Sequence, residues 1–158
     1  MGIEKLLSGD LGQLAVERAI SEFRAGRPVV IETAAVALLA APVEGLDNAG
    51  VGALAGLAGG QARLVLSGPR LHRLGAPDRV AAAVLLPRPE ISDISRLAID
   101  DEAALDAQLT PLAPGEEMGL RLTHLAALLP AFVCVPLPAG ALADAPVARV
   151  SANAIAAY

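Results

Sequence analysis

The chain has 158 residues, a formal net charge of −5 and an apolar fraction of 54%. This length is typical of one domain with a single hydrophobic core. The acidic balance argues against nucleic acid as a partner, because binding to phosphates depends on clustered Lys and Arg. The only cysteine, Cys134, cannot form an internal disulfide, and no apolar leader precedes Asp10 and Glu17. Both observations predict a cytoplasmic protein.

The first third of the chain predicts a helix followed by a hairpin. Asp10 can cap a helix to about Ala25, since apolar residues recur behind it at helical spacing. Gly26 suits the left-handed residue that follows a helix end. Residues 29–32 and 36–40 are then predicted as two strands joined by a short connection.

A second helix is predicted from Asp47 or Asn48 to about Ala58. Glycine weakens a helix interior by about 1 kcal/mol relative to alanine, so we predict that close packing compensates for the glycines of this helix. Those glycines are Gly50, Gly52 and Gly56. Residues 63–66 have strand character, residues 69–74 suit a short helix, and residues 81–86 suit another strand.

Residues 90–117 are strongly acidic. They hold eight of the 17 carboxylates of the chain and one basic residue, Arg96. A solvent-exposed face accounts for this composition, and a divalent-cation site is the alternative. The segment lacks the ligand spacing of a calcium loop, so we predict a solvated surface.

The last third predicts a helix, a buried strand and a short closing segment. An apolar stripe at helical spacing is predicted to lie in the core and to stop before Pro130; it comprises Met118, Leu122, Leu125 and Leu129. Residues 132–137 are predicted as a buried strand, and residues 147–151 as an extended piece before a short terminal helix. The uncharged residues 122–143 are long enough to span a bilayer, but their three prolines argue against a membrane helix.

Candidate catalytic side chains are few. His72 is flanked by Arg70 and Arg73 and is predicted at the surface. His124 lies beside the apolar stripe, which favours a packing or interface role. Cys134 stands among apolar residues with no base nearby in the sequence, which predicts a buried, inert thiol. No nucleotide-binding, hydrolase or metalloprotease motif occurs.

Three stretches carry a family resemblance. They are ERAISEFRAGRPVVI at residues 17–31, LTHLAALLPAFVCVPL at residues 122–137 and VSANAIAAY at residues 150–158, about a quarter of the chain in all. They resemble, in the same order, segments of 3,4-dihydroxy-2-butanone-4-phosphate synthases. The resemblance implies an α/β fold, with a mixed β-sheet flanked by helices in a shortened form. Residues 1–158 would form one degenerate domain of this kind, either by itself or as a fragment of a longer cyclohydrolase protein.

The resemblance also indicates where a synthase site would lie. In the family an acidic loop that contributes to binding magnesium and substrate follows the first strand; here Glu32 is followed by Thr33-Ala34-Ala35, so the loop is essentially deleted. The family's Gly-His-Thr-Glu motif, with its metal-binding histidine, falls on residues 114–117, where only Glu117 matches. A catalytic glutamate at the end of the next strand falls at Pro136.

These losses predict that the ancestral magnesium site is gone, with no catalytic or cofactor-binding residue and with Glu32 and Glu117 as vestigial metal candidates. The first functional hypothesis is a non-catalytic scaffold or dimerisation domain of riboflavin biosynthesis, the N-terminal module of a GTP cyclohydrolase II protein. The expected partners are a second copy and a fused or associated cyclohydrolase domain. The alternatives are a regulatory domain that binds a sugar phosphate or nucleotide, and an enzyme of another type.

Overall fold

The computed structural model describes residues 3–7, 9–78 and 80–158. Over these ranges the helices are α1 (Ile3–Leu7), α2 (Leu11–Arg24), α3 (Asn48–Ala58), α4 (Gly68–Arg73), α5 (Ile91–Ile99), α6 (Glu116–Leu125) and α7 (Ala152–Ala157). The strands are β1 (Val29–Glu32), β2 (Val36–Pro42), β3 (Ala62–Leu66), β4 (Ala82–Leu86), β5 (Leu109–Thr110), β6 (Ala131–Pro138) and β7 (Ala148–Ser151). Residues Val43–Gly45 form a 3₁₀ turn.

All these strands belong to one sheet, in the order β5-β4-β3-β6-β2-β1-β7. Neighbouring strands are antiparallel except for β1 and β7, which are parallel. The long central strand β6 is hydrogen-bonded to β2 on one side and to β3 on the other. The predicted mixed sheet with flanking helices is therefore confirmed.

Helices cover both faces of the sheet. One face packs against α3, α4 and α5 through residues such as Leu54, Leu71 and Ile94. The other packs against α2, α6 and α7 through residues such as Phe23 and Ile155. Because side chains alternate between the faces of a strand, each strand residue can be assigned to one of these two layers.

The helix and hairpin predicted for the first third of the chain are confirmed. The Asp10 carboxylate accepts a hydrogen bond from the Gly12 amide at 2.8 Å and so caps α2. Gly26 has a φ of +77° and ends the helix as predicted. A Cβ atom on Gly45 would lie 2.1 Å from the Gly26 carbonyl oxygen, so the backbones at these two glycines touch directly.

The acidic segment is more ordered than its composition suggested. It contains α5, whose Ile94 and Leu97 are buried, and the short edge strand β5. Arg70 fixes the end of this helix, because its guanidinium donates to the carbonyl oxygens of Leu97 at 2.8 Å and Asp100 at 2.7 Å. The apolar spacing of α5 is present in the sequence, but the many carboxylates around it led to the prediction of a solvated surface.

Helix α6 ends one turn earlier than predicted. Ala127 has a φ of +57°, and the Leu128 amide donates to the Thr123 carbonyl, which closes the helix before the proline. Leu129 is consequently exposed rather than part of the core stripe, and its amide donates to the Glu44 carboxylate at 2.8 Å. His124 is exposed in the last turn of α6, so of its two predicted roles packing within this chain was wrong, and the interface role stays a prediction.

Two further expectations have clear outcomes. Nothing lies within 4 Å of a Cβ atom built on Gly52 or Gly56, so close packing does not explain these glycines of α3. Within the described part of the chain, no helix has the length and apolar character needed to cross a membrane. The uncharged stretch at residues 122–143 is divided between the end of α6 and strand β6.

Candidate functional site

The end of β1 and the start of α6 meet at one place in the fold. Gly115 precedes α6 with a φ of +91°, and a Cβ atom there would lie 3.2 Å from Cγ2 of Thr33. Thr33 follows the last residue of β1 directly. The two segments that the resemblance singles out as ligand-bearing are therefore adjacent in space.

The connection between β1 and β2 is a tight turn of three residues. The Thr33 hydroxyl accepts hydrogen bonds from the Ala35 amide at 3.3 Å and the Val36 amide at 3.1 Å. The Thr33 amide in turn donates to the Val36 carbonyl at 3.0 Å. The predicted short connection is confirmed, and it leaves no room for a loop of acidic ligands.

Glu32 is held by an ion pair at the edge of the sheet. Its carboxylate accepts from Arg149 of β7 at 2.7 Å. The same guanidinium donates to the carbonyl oxygens of Leu142 at 2.7 Å and Ala141 at 2.8 Å. Arg149 thus connects Glu32 of β1 to the loop after β6, which gives the carboxylate a structural role.

Glu117 lies on the other side of the sheet from Glu32. Ile31 packs in the layer of α2 and α6, so its neighbour Glu32 projects into the opposite layer. Glu117 is exposed in the first turn of α6. The two carboxylates that the sequence offered as vestigial metal ligands therefore point to opposite sides of the sheet, with Glu32 paired to Arg149 and Glu117 exposed.

The unexpected feature of this region is Glu116, which is fully buried. Its carboxylate faces Arg63 of β3, whose Nε donates to Oε1 at 2.5 Å and whose Nη2 donates to Oε2 at 3.1 Å. The Ala113 amide also donates to Oε2, at 2.8 Å. Arg63 completes the network by donating to the Pro111 carbonyl at 2.9 Å. The solvated surface predicted for this acidic segment therefore does not include Glu116.

A signal for this pair existed in the sequence. Arg63 interrupts the otherwise apolar strand ARLVL, and a charge in a central strand requires a buried partner. Its side chain is only 17% exposed. The sequence did not say which of the neighbouring carboxylates would supply the partner, because a helix start can turn either Glu116 or Glu117 inward.

Cys134 of β6 extends the buried network. Its Sγ lies 3.7 Å from Oε1 of Glu116 and donates to it. Burial is the main reason that the pKa of the Cys134 thiol lies well above its ordinary value, and the nearby Glu116 carboxylate is the second. Nothing in the sequence indicated that the Glu116 carboxylate lies near Cys134, but the thiol is buried as predicted.

This buried thiol should make the free energy of unfolding decrease as the pH rises into the alkaline range. The unfolded thiol releases its proton near pH 8.5, whereas the folded thiol keeps it, so the folded state binds more protons above that pH. We expect the free energy of unfolding to fall by up to about 1.4 kcal/mol per pH unit above about pH 8.5. Urea titrations between pH 7 and 10 measure this slope. The Cys134→Ala variant should lack this contribution, and an identical slope in both proteins would contradict it.

The candidate metal ligands of this region are dispersed or already paired. Within the described ranges, no group of three or more His, Cys, Asp or Glu side chains is placed to hold a metal ion. Glu116 and Glu32 are both engaged by arginines, and Pro136 is exposed where the resemblance places a glutamate. His72 is exposed on α4, as predicted, in the opposite layer from α6.

Comparisons with known proteins agree with this architecture. No protein-family model matches the sequence, and no curated protein matches it. Among solved structures, a 3,4-dihydroxy-2-butanone 4-phosphate synthase of Candida albicans aligns with a TM-score of 0.68 at 15% identity, covering 90% of this chain and 96% of the other. Another synthase of this kind, in complex with two magnesium ions, aligns with a TM-score of 0.67 at 14% identity, covering 90% and 94%.

A two-domain synthase from A. baumannii aligns with a TM-score of 0.70 at 15% identity. The alignment covers 89% of this chain and 56% of that protein, so the chain spans little more than half of its length. These likenesses show that the chain has the fold of 3,4-dihydroxy-2-butanone 4-phosphate synthases.

Proposed function

We propose that this chain is a non-catalytic domain of the synthase fold that serves riboflavin biosynthesis as a scaffold through self-association. The observation that carries the proposal is the Arg63–Glu116 pair. Glu116 lies within the segment that corresponds to the family's metal-binding motif, and its carboxylate is buried in the core and paired with a bidentate arginine. A buried pair of this kind has a structural role in the core, since the carboxylate has no free lone pair directed toward solvent.

The surrounding backbone supports the same proposal. Magnesium prefers several oxygen ligands with near-octahedral geometry, and a sugar phosphate brings further charge that needs compensation. The tight turn at Thr33 and the exposed Pro136 offer neither set of groups. The described part of the chain nevertheless has a seven-stranded sheet with helices packed on both faces, which is what a structural role requires.

We propose further that the domain works beside a GTP cyclohydrolase II domain, fused to it or associated with it. The resemblance in the sequence supports this placement. The two-domain synthase from A. baumannii, of which this chain spans 56%, is an example of the fold occurring next to another domain.

A turnover assay tests the non-catalytic proposal. With magnesium and ribulose 5-phosphate, the purified chain should form no formate and no dihydroxybutanone phosphate above a blank. Glu117→Gln is the informative variant, since Glu117 is the one residue that matches the family motif. Turnover that this substitution abolishes would overturn the proposal. Turnover that is unchanged by it, and that disappears on further purification, identifies a contaminating host enzyme.

A further inference from the structure

Strand β7 lies at one end of the sheet and has a partner on one side only. It is hydrogen-bonded in parallel to β1, and no other described strand pairs with it. An edge strand presents a row of unpaired backbone N–H and C=O groups, which can pair with another extended chain. The strand at the opposite edge, β5, has two residues, whereas β7 has four. Strand β7 is therefore the edge that offers the longer template for a further strand.

Strand β7 lacks the features that usually protect an edge. Ala148–Ser151 contains no proline, and its one charged side chain is Arg149. Because Ala148 and Val150 pack in the layer of α2, Arg149 points into the opposite layer. There its guanidinium is bound to the Glu32 carboxylate and to two carbonyl oxygens. This charge is engaged within the chain and leaves the edge open to a further strand.

A shallow groove runs along this edge, between β7 and helix α2. It has a volume of about 360 Å³ and is formed by Leu14, Ala15, Arg18, Val147, Ala148 and Arg149. This volume is at the lower end of the range for ligand sites, which suits a few residues of an extended chain. A strand added to β7 directs alternate side chains toward the flank of α2 that forms the groove. Leu14 on this flank is 52% exposed, so it offers an uncovered apolar contact.

Arg18 gives the groove a positive charge. Its side chain is exposed, and the ion pairs among the described residues do not include it. Glu22, one turn further along α2, is bound by Arg27 at 2.6 Å, and Arg18 acts on it only at longer range. A carboxylate on an incoming strand is therefore the group that complements the charge of Arg18.

We propose that β7 and the adjoining flank of α2 bind an extended segment of a partner protein, which joins the sheet as a further strand and places a carboxylate against Arg18. Backbone hydrogen bonds supply the affinity of such a contact, and the side chains at alternate positions supply its specificity. Charge disfavours a second copy as the occupant, because a two-fold pairing of β7 edges brings two α2 flanks together, each with Arg18. The surface therefore serves a different partner from the one in the scaffold proposal.

NMR of the backbone amides of the full chain, titrated with a peptide, tests this proposal. The probe is acetyl-VTVTET-amide, whose two valines and glutamate lie on one side when the peptide is extended. Binding should shift the amide resonances of residues 147–151 and of Leu14 and Arg18, and those of β5 should stay unchanged. Unchanged resonances at residues 147–151 with about 1 mM peptide would overturn the proposal.

Methylation of the peptide backbone distinguishes strand addition from other binding. Only alternate residues of an added strand direct their amides toward β7, so two peptides are compared, each N-methylated at one alternate set of residues. One of them should bind at least about tenfold more weakly than the parent peptide, and the other should bind nearly as well. Equal affinities of the two methylated peptides would reject strand addition.

Charge exchange tests the role of Arg18. The Arg18→Glu variant should bind the peptide about tenfold more weakly and should prefer the version with lysine in place of glutamate. Arg88→Glu is the matched control, because Arg88 is exposed after β4, toward the other edge of the sheet, and it should leave binding unchanged. Equal binding of the two peptides by the wild type would reject an acidic partner. Concentration-dependent shifts of residues 147–151 without peptide would assign the edge to a second copy instead.

Discussion

Replacing Glu116 with alanine should lower the free energy of unfolding by about 3 kcal/mol. The substitution leaves the Arg63 guanidinium largely buried without its counter-ion, and it also removes the acceptor of the Ala113 amide. An uncompensated buried charge costs much more than the net contribution of the intact pair. Urea denaturation followed by circular dichroism measures the difference.

Glu117→Ala is the matched control, because it removes the same side chain one residue later in the same helical turn. Glu117 is exposed, so its loss should change the free energy of unfolding by less than about 0.5 kcal/mol. A double variant, Arg63→Met with Glu116→Leu, should recover most of the stability, since apolar side chains of similar volume can replace a buried pair. Equal effects of the two alanine variants would mean that Glu116 is not the buried partner.

Gly119→Ala should destabilise the protein by about 2 to 3 kcal/mol. Gly119 of α6 lies directly over Phe132 of β6, and a Cβ atom there would be 2.2 Å from Cζ of that ring. Phe132 is fully buried, so the ring has no free space into which it can move. The helix must lift from the sheet to accommodate the methyl group. Thermal or urea unfolding of the variant gives the magnitude.

The same glycine-to-alanine substitution in α3 should stabilise the protein instead of destabilising it. Gly52 has no atom within 4 Å of an added Cβ, so Gly52→Ala should raise the free energy of unfolding by about 0.5 to 1 kcal/mol through helix propensity alone. Stabilisation by Gly119→Ala would show that α6 does not pack on β6 as described.

The sequence determined most of the local structure. Asp10, Gly26 and the apolar spacing between them specify α2 and its ends, because capping and left-handed glycine act over a few residues. Short apolar runs bounded by proline, such as β1 after Pro28 and β6 after Pro130, specify strands in the same way. The missed elements, α5 and β5, lie where charged residues outnumber the apolar ones that anchor them.

Termination of α6 and the roles of its carboxylates were decided by tertiary structure. The helix stops at a left-handed Ala127, a residue with no intrinsic preference for that conformation, so the proline downstream was a misleading stop signal. Glu116 and Glu117 are identical in chemistry and adjacent in sequence. Only the placement of Arg63 on the facing strand decides which of them is buried.

The sequence alone therefore determined the order of the elements other than α1, α5 and β5, the short connection after β1 and the family resemblance that pointed to the fold. Only the tertiary structure decided that Glu32 and Glu117 lie on opposite sides of the sheet and that Arg63, Glu116 and Cys134 form one buried network. The physical reason is the separation along the chain over which each interaction acts. Caps, turns and side-chain periodicity act between near neighbours, whereas Arg63 and Glu116 are 53 residues apart and meet only after β3 and α6 pack together.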